Sequence, residues 1–130
     1  MSAALGDQAA RTRVVGSLDE TLFVDAGAGS GKTTQLVGRV VELVRSGVPM
    51  RHIAAITFTE AAAAELRDRV RRRLDAEVAA GGSGDVHDLV RTASAEIDQA
   101  SLQTLHSFAQ SILRRYPVEA GLPPTVDVAD

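Results

Sequence analysis

The chain has 130 residues, 45% of them apolar and 24% charged, a formal net charge of −3 and no cysteine. That length allows one modest domain with a core, and that composition is globular and not disordered. The charge excludes a protein that coats nucleic acid by bulk electrostatics, and the missing thiols exclude a disulfide framework or thiolate metal site, which suits the cytoplasm.

The opening stretch "MSAALGDQAARTR" lacks the apolar core of a signal peptide, and no later run approaches a membrane span. Asp7 can cap a short helix through "QAARTRVV" that ends near Gly16. "TLFVDA" (21–26) is short, apolar and β-prone, and it reads as a buried strand. "KTTQLVGRVVELVRS" follows as a helix, with Leu36, Val37, Val40, Val41 and Val44 at helical spacing and a stop at Gly47 and Pro49. "IAAITF" (53–58) is a second strand, and Thr59 can cap the helix "EAAAAELRDRVRRRLDAEVAA". "GGSG" (81–84) reads as a flexible break. A weaker helix runs through Val86–Ile97, then a short strand around "SLQT". Thr104 can cap a last helix, "LHSFAQSILRRY", which Pro117 ends. The tail "EAGLPPTVDVAD" reads as a connection into a continuation after residue 130. Strands alternating with helices imply an α/β fold with a parallel sheet flanked by helices, whose ligands sit beyond the carboxyl ends of the strands.

Three short segments fall at those ends. The first reads Ala26-Gly27-Ala28-Gly29-Ser30-Gly31-Lys32-Thr33-Thr34. A phosphate loop is Gly, four residues, then Gly-Lys-Ser/Thr, and here alanine holds the first position. Glycines at 27, 29 and 31 let successive N–H groups converge on phosphate oxygens, and the helix that follows adds its positive end. Lys32 then reaches the outer phosphates of a nucleotide such as ATP, and the Thr33 hydroxyl holds Mg²⁺. Of fourteen basic residues Lys32 is the single lysine, a slim point charge where phosphate needs one. Kinases, GTPases and motors all share such a loop, so it names no function by itself.

At the end of the second strand stand Thr57, Phe58 and Thr59. An exposed ring flanked by hydroxyls can stack on a nucleobase while the helix start holds backbone phosphates. Phe58 as core and the threonines as ordinary caps fit these residues equally well. Thr104 and His106 occupy the equivalent place after the third strand. The basic run "RDRVRRR" (67–73) carries an apolar stripe of Leu66, Val70 and Leu74 with Glu65–Arg69 and Asp68–Arg72 at i, i+4 spacing. It reads as a solvated helix face and receives no site.

Taken in order, these segments resemble the UvrD/Rep/RecB-type superfamily 1 DNA helicases. Asp7-Gln8 is similar to the family's Q motif, "AGAGSGKT" to its phosphate loop with the same first alanine, "TFTEAAAAEL" to motif Ia and "TLHSFAQSIL" to motif Ib. The tail and Thr34 resemble the RecB/AddA arm most. The resemblance implies a P-loop NTPase of RecA-like fold, with residues 1–130 as the N-terminal part of an incomplete first motor domain. It also implies ATP and Mg²⁺ as cofactors and a nucleotide site of Gln8, Ala26, Gly27, Ala28, Gly29, Ser30, Gly31, Lys32, Thr33 and Thr34. Lys32 and Thr33 are its catalytic members. A path for single-stranded DNA follows along Thr57, Phe58, Thr59, Thr104 and His106, and a nuclease domain or subunit stays open as a partner. The Asp-Glu pair that hydrolysis in this family needs does not close any apolar strand here: the one adjacent pair, Asp19-Glu20, lies in a polar context. A non-catalytic nucleotide- or DNA-binding module and a small P-loop kinase therefore remain as alternatives, and the 130-residue chain alone is expected to be inactive.

Overall fold

A computed structural model describes residues 8–25, 31–119 and 121. The cap expected at Asp7, the loop residues 26–30 and the tail apart from residues 119 and 121 lie outside the described residues.

Five α-helices and two strands follow in the order α1 (Gln8–Gly16), α2 (Lys32–Arg45), β1 (Ala54–Thr57), α3 (Glu60–Ala79), α4 (Asp85–Ala95), β2 (Ser101–Thr104) and α5 (Leu105–Arg115). Single 3₁₀ turns at Met50–His52 and Ile97–Gln99 lead into the two strands. The helix ends follow local chemistry. α2 stops at Ser46 and Gly47, the glycine at φ +104, a conformation open to residues without a Cβ. α3 starts where the Thr59 side chain accepts from the Ala62 N–H at 3.1 Å, and α5 where Thr104 does the same for Ser107 at 3.1 Å. Each hydroxyl satisfies a donor that the first helical turn leaves orphaned.

β1 and β2 pair in parallel, with Ala54 opposite Ser101 and Thr57 opposite Thr104. The chain between them passes through α3 and α4, the long crossover that parallel strands require. Ala55 and Leu102, partners in the register, are buried on one face. Beneath that face a single core joins Val37, Val40, Val41 and Val44 of α2 to Leu66, Val70 and Leu74 of α3, with Val90 and Ala93 of α4 and with Met50, Ile53 and Ile97. These are the apolar stripes read from helical spacing, each large side chain adding about 1.5–3 kcal/mol when fully buried. Leu36, included in that stripe from the sequence, is instead exposed.

One expected strand does not form. Residues 21–25 are irregular and pair with neither β1 nor β2, and Phe23 is 95% exposed. A short apolar run becomes a strand only where neighbours complete its ladder and cover its faces. Among the described residues neither condition holds beside 21–25, so the sheet has two strands where three were expected. No helix among the described residues is long and apolar enough to cross a membrane.

Candidate functional site

α2 opens differently from α3 and α5, the two helices that follow the strands. Gly31 precedes it at φ +83 in the left-handed region, and among the described residues no side chain caps it. α3 and α5 both carry a threonine cap. A Cβ at position 31 would stand 3.1 Å from Nη1 of Arg11, so a guanidinium from α1 lies against the turn into α2. Lys32 is the first residue of α2. It is exposed, as are Thr33 and Thr34. Arg69 of α3 approaches the Thr34 hydroxyl at 3.5 Å, the outer limit of a hydrogen bond.

Beside this turn lies a cavity of about 760 Å³ between α1, residues 18–25 and α2, with Arg11, Asp25, Lys32, Gln35 and Arg39 among its lining and Val14, Leu22 and Leu36 on its apolar part. Arg39 braces it, donating to the carbonyls of Val14 at 2.7 Å, Ser17 at 3.2 Å and Glu20 at 3.1 Å. These three carbonyls lie at or beyond the end of α1, where backbone acceptors are orphaned. Gln8 opens α1 but does not line the cavity. Arg11 and Arg39 were missed from the sequence, where nothing separates them from eleven other arginines. Ala26, Gly27, Ala28, Gly29 and Ser30 lie outside the described residues.

The second group of candidates is brought together by the sheet. Register places Thr57 opposite Thr104, so the segments that leave β1 and β2 start side by side. Phe58 is 94% exposed, which removes the core reading of its ring. The Thr57 hydroxyl donates to the Thr59 carbonyl at 3.1 Å. Thr104 is the buried member, 4% exposed, and His106 lies exposed in the first turn of α5. Glu60, which sequence reasoning passed over, lies between the groups: its Oε1 accepts from Thr104 Oγ1 and from Ser107 Oγ, each at 3.1 Å.

The basic run is occupied. Arg67 donates to the Leu102 carbonyl at 2.8 Å. Arg69 pairs with Glu65 at 3.0 Å, Arg71 with Asp98 at 3.0 Å, Arg72 with Asp68 at 2.7 Å and Arg73 with Glu77 at 3.5 Å. Leu66, Val70 and Leu74 are buried on the opposite side. Glu20 of the Asp19-Glu20 pair is held by Arg13 at 2.7 Å.

Helices flanking a small parallel sheet, with candidate segments at both strand ends, define an α/β protein consistent with part of a helicase domain. The chain belongs to the UvrD/REP helicase N-terminal domain family, which matches residues 7–130. It is similar to an ATP-dependent helicase/nuclease subunit of Heliobacterium modesticaldum, 37% identical over 109 residues, 84% of this chain and 8% of the relative. The protein of the same description from Desulforudis audaxviator is 38% identical over 122 residues, 89% of this chain and 9% of the relative. That of Pediococcus pentosaceus is 31% identical over 118 residues, 91% and 10% respectively. The chain thus spans about a tenth of the length of these curated relatives. The family read from four ordered motifs, and its AddA-like arm, are borne out.

Proposed function

We propose that this chain is the N-terminal part of the ATP-binding domain of a cytoplasmic ATP-dependent DNA helicase or translocase, with residues 1–130 folded around a RecA-like P-loop. The observation that carries the nucleotide site is the start of α2. Gly31 is left-handed, Lys32 heads the helix, and among the described residues no side chain caps the first-turn N–H groups. Donors left open at a helix start, with a lysine among them, fit an anionic phosphate. Lys32 would reach the outer phosphates and Thr33 would hold Mg²⁺, with Ala26, Gly27, Ala28, Gly29, Ser30 and Thr34 completing the loop and Gln8 reading the adenine edge. When bound, ATP with Mg²⁺ supplies the phosphoryl transfer that drives movement. Single-stranded DNA would cross the carboxyl ends of β1 and β2, Phe58 stacking on a base while Thr57, Thr59, Thr104 and His106 hold the strand. The relatives share the description of a helicase/nuclease, which supports a nuclease partner, either a further domain or a separate chain.

The test is Lys32→Ala measured with a fluorescent ADP analogue and Mg²⁺. Loss of a charge-assisted hydrogen bond removes about 1.5–3 kcal/mol, a weakening of roughly 10- to 150-fold. Lys32 is outside the apolar core, so the melting temperature should hold. Parent-like affinity in the variant would overturn the nucleotide site.

A further inference from the structure

We infer that Glu60 is a positioning residue that clamps the start of α5 to the start of α3, so that the two strand-end segments present one rigid surface to single-stranded DNA. The inference rests on the DNA reading above and deepens it.

Glu60 is the first residue of α3, directly after the Thr59 cap, where a carboxylate is favoured by the helix dipole. Its Oε1 reaches across to the neighbouring helix and accepts from Thr104 Oγ1 and Ser107 Oγ, each at 3.1 Å. The two hydroxyls stand 3.0 Å apart, but they have only two hydrogens between them. With Thr104 already accepting from the Ser107 N–H, both hydrogens are best used on the carboxylate, because a charged acceptor makes the stronger bond. Thr104 is at once the cap of α5, the residue opposite Thr57 in the register, and a partner of Glu60. Phe58 stands two residues from Glu60 and His106 lies between Thr104 and Ser107, on segments 48 positions apart in sequence. Without the carboxylate, the spacing between them rests on the short ladder of β1 and β2 and on the packing of α3 against β2, where Arg67 holds the Leu102 carbonyl.

The test measures affinity of the intact protein for a short fluorescein-labelled oligothymidylate, together with ADP affinity and melting temperature, in Glu60→Ala, Glu60→Gln, Phe58→Ala and Glu60→Ala/Phe58→Ala. Glu60→Ala should weaken DNA binding by roughly three- to tenfold while ADP affinity is unchanged. Glu60→Gln should restore it to within about twofold, since an amide oxygen accepts both hydroxyls. Phe58→Ala should cost less in the Glu60→Ala background than in the parent, because coupled residues lose less than the sum. If Phe58→Ala weakens DNA binding but Glu60→Ala does not, the clamp is refuted and the DNA reading stands. If Phe58→Ala leaves DNA binding intact, the DNA reading fails. Tighter DNA binding in both Glu60 variants would show a merely repulsive charge, and parallel loss of melting temperature and ADP affinity a merely structural one; either overturns the clamp.

Discussion

Truncating the Phe58 ring separates a binding role from a packing role with little ambiguity. A fully buried phenylalanine contributes about 1.5–3 kcal/mol through its apolar surface. At 94% exposure, Phe58→Ala can remove only about 0.1–0.2 kcal/mol of that. In a domain of this size the change corresponds to under about 2 °C in melting temperature. Stacking on a base is a different quantity, about 1–3 kcal/mol per ring, which is roughly a 5- to 150-fold loss of affinity. The assay pairs thermal melting with fluorescence anisotropy on single-stranded DNA and titration of a fluorescent ADP analogue, all on the same preparation of the intact protein. The expected pattern is an unchanged melting temperature, unchanged ADP affinity and weakened DNA binding. A destabilised variant with parallel losses of both ligands would refute the reasoning from exposure to contact.

The 130-residue chain alone is expected to show no DNA-stimulated ATP hydrolysis above background, because no Asp-Glu pair closes an apolar strand within it and Glu20 is engaged by Arg13; turnover abolished by Lys32→Ala would reveal a carboxylate that has been overlooked. Leu66→Ala, at a buried position of α3, should destabilise by about 2–5 kcal/mol in chemical denaturation; a loss under about 0.5 kcal/mol would mean that α3 does not anchor the core.

Most of the helical part of this fold is readable locally. Thr59 and Thr104 announce α3 and α5 because a capping hydroxyl acts within three residues of itself. Leu66, Val70 and Leu74 show their buried face by spacing alone. Strands are another matter, since a ladder is made by a partner elsewhere in the chain. "SLQT" finds one in β1, whereas the more apolar residues 21–25 find none among the described residues. Exposure of Phe58 was equally hidden, because a lone ring at a strand end fits a core as well as a surface. The bonds from Glu60 to Thr104 and Ser107 span 44 and 47 positions. No short-range pattern encodes such a bond, nor the reach of Arg39 to the end of α1.

The arginine-rich face of α3 has a thermodynamic corollary. Each of the five arginines between positions 67 and 73 already has a carboxylate or carbonyl partner. A nucleic-acid phosphate arriving there would have to displace a carboxylate or carbonyl before an arginine could neutralise it, so this face should neutralise few phosphates and release few of the cations condensed on the strand. The steepness with which affinity falls as salt rises measures the phosphates newly neutralised, roughly 0.7 of a unit of slope for each on single strands. For all its arginine, this helix should therefore contribute little to that slope, and with only threonines, Phe58 and His106 at the strand ends the proposed DNA binding should fall only weakly as salt rises.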